Sequence, residues 1–329
     1  MKLRRNYINF LLLFAFLFNG AISVAAPPYK HPFPHNHNPS IQFYPSALSA
    51  DSLSCTIPFS RAGNLILIQA KVDSVEGNFI LDTGAPYLVL NITYFRNYPT
   101  TSTDGEQTSI TGDGMTGART TIDHLTLGAF NYFKVQADLI NLGHIEKSKN
   151  VKIIGLLGLE LFRQCEMIVD YEKNLLYLHT IGKKESNTYR HQMLDDTTTY
   201  RMLPFDFKDN RIISTAEVAG KKLKFIIDYG AESNILDSRL PDRIFENVTI
   251  TGHVNLMGSE NKKIDALYGD LKHIKIGNEE IASLSVMIVN LQNTCFSGMG
   301  CIDGVLGFDF LSLHKIGFNF VKHKMYIWK

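Results

Sequence analysis

The chain of 329 residues contains one pattern twice. Asn78-Phe79-Ile80-Leu81-Asp82-Thr83-Gly84-Ala85 recurs as Lys224-Phe225-Ile226-Ile227-Asp228-Tyr229-Gly230-Ala231. Further on, Leu156-Leu157-Gly158-Leu159-Glu160-Leu161 recurs as Val305-Leu306-Gly307-Phe308-Asp309-Phe310. Gly112 and Gly258 fall at equal distances after their respective Asp. A duplicated unit of this length implies two similar lobes, each with its own core.

The grammar of each copy is β-type. Apolar runs at 65–72 and 78–81, and again at 212–218 and 223–227, are rich in Ile, Leu, Val and Phe and broken by turn residues. A short helix is expected at 160–165 and at 309–314, and a last strand is expected to close each copy at 175–178 and 325–328. The reading is an all-β, mainly β, chain of two β-barrel-like lobes with short helices. The lobes span 51–181 and 201–329, joined by a polar linker at 182–200.

The chemistry is concentrated at the Asp-x-Gly turns. An apolar strand ends at an acid, and two residues later a glycine lets the backbone turn sharply and approach a neighbour. One such turn presents a carboxylate at the mouth of a lobe. Two lobes associating about a pseudo-two-fold axis would bring Asp82 and Asp228 together. Carboxylates that close cannot both ionise, so they share a proton. The neutral member can polarise a carbonyl while the charged one deprotonates water.

At these residues the sequence resembles the pepsin/retropepsin-like aspartic proteases, and most of all bacterial exported proteins with two retropepsin-like lobes in one chain. The resemblance rests on Asp82-Thr83-Gly84-Ala85, Leu156-Leu157-Gly158, Asp228–Ala231 and Val305-Leu306-Gly307. It implies the bilobed acid-protease fold, with Asp82 and Asp228 catalytic. Thr83, Gly84, Ala85, Tyr229, Gly230 and Ala231 would form the active-site turns, and Gly158 and Gly307 the psi-shaped loops beneath them. It implies no cofactor and no metal, and an extended peptide or protein substrate in the inter-lobe cleft of a monomer. Flap candidates are Gly112, Gly114 and Gly258; the stretch 108–117 carries no aromatic residue. The family places Thr or Ser between Asp and Gly in both motifs, and Tyr229 breaks that rule. A phenol is too large for the same contact across the interface. Two functions stay open: an active aspartic endopeptidase, or an impaired relative that binds peptide or serves as a structural module. Ala85 and Ala231 offer no hydroxyl to the carboxylates, so a mildly acidic optimum is expected.

Other chemistries fit less well. The Asp-x-Gly turns of sugar-kinase/actin-like ATPases need alternating helices and strands, and few long helical periodicities occur. No Gly-x-Ser-x-Gly elbow is present. His124, His144, His179, His191, His253 and His273 are scattered and read as surface residues. Lys and Arg total 33 against 32 acids, so no basic field for nucleic acid exists.

Residues 1–25 read as a signal peptide: basic Lys2, Arg4 and Arg5, an apolar run at 10–18, then Ser23-Val24-Ala25. The expected product is exported, periplasmic or extracellular, with no membrane anchor after cleavage. Residues 26–50, with His31, His35 and His37 among prolines, read as a disordered tether or propeptide. Export permits disulfides. Cys295 and Cys301 enclose a short Gly-bearing loop and are the candidate bridge. Cys55 and Cys165 could pair only if the fold brings them together.

Overall fold

The computed structural model describes residues 49–50, 53–108, 114–257, 263–292, 295–296 and 300–329. The expectations for residues 1–48, and for Gly112 and Gly258, lie outside the described residues.

Each lobe is a closed barrel of six strands. In the first, Leu65–Val72, Val75–Leu81, Gly155–Leu157, Leu88–Asn91, Phe130–Ile140 and Gly114–Leu127 follow one another in the sheet, and the last pairs back to the first. In the second, Arg211–Val218, Lys221–Ile227, Gly304–Leu306, Ile235–Asp237, Glu279–Val289 and Lys263–Ile276 do the same. The strands are apolar on both faces, because one face meets the inter-lobe core and the other a smaller core of the lobe itself. Ile66 and Ile68 belong to the large shared core. Leu65, Leu67, Ile80 and Ala85 belong to a satellite core, and Ile213, Ile226 and Ala231 form its counterpart in the second lobe. This side-to-side alternation is the period-2 geometry of a strand.

The lobes are joined by a seven-stranded antiparallel sheet. Its centre is the pairing of Cys165–Asp170 with Ile316–Asn319, where Val169 faces Ile316 and Glu166 faces Asn319. The strands Leu175–Thr180 and Lys324–Trp328, expected to close each copy, flank this pair instead. Their side chains fill the space between lobes, so neither lobe buries its base alone. Ser54–Pro58 adds beside Leu175–Thr180, and Tyr200–Pro204 beside Lys324–Trp328. The linker therefore ends in a strand, and it carries a 3-10 turn at Gln192–Leu194. The helices after the Leu-Gly steps begin earlier than expected, as a 3-10 turn at Leu159–Phe162 and an α-turn at Phe308–Leu311.

Cys55 and Cys165 are buried and not joined in a disulfide. They lie on opposite sides of strand Leu175–Thr180, Cys55 facing Leu178 and Cys165 facing Thr180. An intervening strand holds them beyond disulfide reach. Cys301 is disulfide-bonded, and Cys295 stands opposite it in register. His179 is buried, not superficial: its Nδ1 lies 2.6 Å from Ser54 Oγ, and Tyr189 stacks on its ring at 3.6 Å. Cross-strand register puts His179 beside Ser54, which a sequence pattern of scattered histidines does not reveal. Among the described residues no helix is long and apolar enough to cross a membrane.

Candidate active site

Each Asp-x-Gly turn is held from below by a short central strand. Gly155–Leu157 runs parallel to Val75–Leu81 and antiparallel to Leu88–Asn91. Gly304–Leu306 repeats this between Lys221–Ile227 and Ile235–Asp237. The Asp82 amide donates to Leu157 O at 3.2 Å, and the Asp228 amide to Leu306 O at 3.0 Å. The chain then passes under the turn: Leu159 N donates to Ala85 O and Phe308 N to Ala231 O, both at 2.9 Å. Gly158 and Gly307 sit at this crossing. A Cβ on Gly158 would stand 2.0 Å from Tyr87 O, and one on Gly307 2.6 Å from Ala231 O. Backbone cannot yield as a side chain does. Gly158→Ala is therefore expected to destabilise the protein by about 3 kcal/mol, read as a drop of roughly 5–10 °C in melting temperature.

The two turns meet at the pseudo-two-fold axis. Gly84 N donates both to Asp82 Oδ1 and to Asp228 Oδ1, each at 2.9 Å. Ala85 N adds a bond to Asp82 Oδ1 at 2.9 Å, and Gly230 N one to Asp228 Oδ1 at 2.7 Å. Neither Gly84 nor Gly230 has a positive φ. Glycine is required for close approach rather than for the turn: a Cβ on Gly84 would stand 2.4 Å from Asp228 Oδ2, and one on Gly230 2.6 Å from Asp82 Cγ.

Both acids are buried, Asp82 at 3% exposure and Asp228 at 0%. Burial raises the Asp82 carboxyl to about 6, opposed by the Ala85 and Gly84 amides, the bond to Asp228 and the charge of Arg211. Burial, then the charge of Asp82, holds Asp228 well above the ordinary range. Oδ2 of Asp228 is buried without a hydrogen-bond partner, and each acid shifts the ionisation of the other. A proton held between the acids satisfies both observations. Loss of water around the carboxyls, rather than the hydroxyl that Ala85 and Ala231 lack, is the main cause of the raised values.

The contact between turns is one-sided. Thr83 Oγ1 donates to Ile227 O and accepts from Tyr229 N, both at 2.9 Å. Tyr229 returns nothing equivalent. Its ring, 1% exposed, lies in the inter-lobe core with centroids 6.1 Å from Tyr171 and 6.3 Å from Phe318. Tyr171 meets Phe308 and Phe59 edge-on. The phenolic oxygens of Tyr229 and Tyr171 are buried without a hydrogen-bond partner.

Two features of the site are not read from the motifs. Glu232, just past the second turn, takes both carboxylate oxygens to Lys149 Nζ at 2.5 and 2.6 Å, and its carbonyl accepts from Asn64 Nδ2 at 3.0 Å. Lys149 and Asn64 belong to the first lobe, so the bond ties it to the second turn. Arg211 is a buried cation near both acids. Laying the two copies over each other would have found it, since Arg211 occupies the place of Leu65. Of the flap candidates, Gly114 opens strand Gly114–Leu127, which pairs with Thr101–Thr108 in a hairpin.

A family model described as aspartyl protease matches residues 68–161 and 214–310. The match covers most of both lobes, and the chain belongs to the aspartyl protease family, with its bilobed mainly β fold. The solved aspartic proteinase from Irpex lacteus is similar at 11% identity over 84% of this chain and 97% of its own, with a TM-score of 0.48. No curated protein matches the sequence.

Proposed function

We propose that this chain is an aspartic endopeptidase, with Asp82 as the general base and Asp228 as the general acid. The observation that carries the reading is the meeting of two buried carboxyl groups over one amide, Gly84 N. The interaction between the two acids lowers the Asp82 carboxyl and raises that of Asp228, so the charge is assigned to Asp82. It takes a proton from water, the oxygen bonds to the peptide carbonyl carbon, and Asp228 gives its proton to the carbonyl oxygen. When the C–N bond breaks, Asp82 gives its proton to the amine nitrogen and Asp228 takes one from a hydroxyl of the tetrahedral intermediate, so the pair returns to one proton on two acids. The substrate is an extended peptide in the inter-lobe cleft of a monomer, and the export pattern at 1–25 supports action in the periplasm or outside the cell.

The alternative, an impaired relative that binds peptide, is favoured by Tyr229 alone. Against it, Thr83 holds the second turn through the Tyr229 amide, a contact that does not depend on the side chain. Incubating the purified protein with an unfolded protein substrate tests the choice. Cleavage blocked by a hydroxyl-bearing transition-state mimic supports the protease; binding of the mimic without cleavage supports the impaired relative.

The rate should rise with pH as Asp82 ionises near 6 and hold until Asp228 loses its proton. The expected profile is a bell with its acid limb centred near 6 and its plateau near neutrality. A maximum below about pH 4 would contradict the burial of Asp82 as the controlling cause.

A further inference from the structure

Besides Tyr229 and Glu232, the two lobes differ beside their acids at one further place. In the first lobe the ladder ends at Leu67↔Ile80, and counting on two residues along each chain brings Leu65 and Asp82 to matching places just past its end. In the second, the ladder ends at Ile213↔Ile226, and counting on two residues along each chain brings Arg211 and Asp228 to matching places just past its end. Residues two apart on a strand share a face, so Arg211 lies on the side of Ile213 and Ile226, the side Asp228 occupies. Directly opposed strand residues are about 5 Å apart at Cα. Leu65 packs into the satellite core of its lobe; its counterpart is a guanidinium only 2% exposed. A cation there has a cost that packing alone does not repay.

We infer that Arg211 is a positioning residue that holds one negative charge on the Asp82–Asp228 pair down to mildly acidic pH. The inference rests on the proposed protease reading for its consequence in catalysis, but not for its electrostatics. Two buried acids sharing one proton carry one negative charge, and Arg211 is the one buried Lys or Arg among the described residues. Both members can then stay in a low-dielectric place that neither could occupy charged on its own. Asp82 and Asp228 face each other; Asp228 is felt by the Tyr171 phenol from the inter-lobe sheet. Arg211 is felt by Asp209, Asp228, Asp82 and Tyr87, and its Nη1 donates to Asp209 O at 3.2 Å. Asp209 is exposed and Tyr87 half-buried, so solvent screens the first and the second is neutral in the working range. Burial lowers the guanidinium to about 10, still well above neutrality, so the charge persists.

The test compares the full chain with Arg211→Met and Arg211→Lys by two readouts: the pH profile of cleavage, and a 13C-carboxyl NMR titration of the aspartates in the free protein. Arg211→Gln, which keeps a donor for Asp209 O, replaces Arg211→Met if that variant does not fold. Loss of the cation should move the lower apparent pKa of the pair up by about one unit, a tenfold change. Cleavage at pH 5 should fall about tenfold, with the loss shrinking as pH rises. Arg211→Lys, which keeps the charge, should leave the midpoint within about 0.3 unit, which a purely steric role for the side chain would not do. An unchanged midpoint in the neutral variants overturns the inference, as does an equal shift in Arg211→Lys. If the parent cleaves nothing, the protease reading fails, and the NMR titration still decides the role of Arg211.

Discussion

Asp82→Asn should reduce cleavage by about a thousandfold or more while making the protein harder to unfold at neutral pH. The rate loss follows from chemistry: a carboxamide cannot accept the proton of the attacking water, and general-base assistance accounts for roughly 10²–10⁴ in rate. The gain in stability follows from the linkage between protonation and folding. In the folded protein the Asp82 carboxyl is raised from 3.8 to about 6. A raised carboxyl favours the fold while it is protonated; that contribution is complete below about 4 and is lost as pH climbs through about 6. Near pH 7.5 the fold therefore holds a buried negative charge at a cost on the order of 2–3 kcal/mol. The amide removes that charge and stays polar. The variant should melt several degrees higher than the parent at pH 7.5, with the difference closing near pH 4. Cleavage at the parent rate would end the protease reading; a lower melting temperature at both pH values would show that the charged pair does not burden the fold.

Tyr229→Thr restores the residue type found in the first motif, yet it is expected to weaken the protein and bring no gain in turnover. The ring fills the centre of the inter-lobe core between Tyr171 and Phe318. Removing it leaves a cavity under the active-site turns, at a cost of about 3–5 kcal/mol for a large-to-small change. Tyr229→Phe isolates the hydroxyl. That oxygen is buried without a partner, so its removal should stabilise by about 1 kcal/mol and leave the Thr83 contact to Tyr229 N intact. Melting temperature and cleavage rate measured on both variants decide the matter. A faster Tyr229→Thr enzyme would show that the tyrosine is a defect. A stable Phe variant beside an unstable Thr variant would show that the aromatic ring is part of the working interface.

The internal repeat determined the two-lobe plan, the β character and the pairing of Asp82 with Asp228, because those depend on local order: an apolar run, then an acid, then a glycine. The late glycines were equally legible, since Gly158 and Gly307 stand at matched places in the two copies. Which strands close each lobe was decided only in three dimensions. Leu175–Thr180 and Lys324–Trp328 have strand character in either arrangement, and it is the need to cover two lobe bases at once that draws them into one sheet. The same holds for the reason glycine stands at 84 and 230. The sequence suggests a backbone turn, while the structure shows a carboxylate from the other lobe in the space of a Cβ. Tyr229 looks like a broken motif when read along the chain. Its ring direction, the aromatic packing around it and the two Thr83 hydrogen bonds to the second turn are set by tertiary packing, part of it from the other copy. Arg211 lies between the two cases: its place in the repeat is visible in the sequence, but its charge matters only because folding takes it, and both acids, out of water.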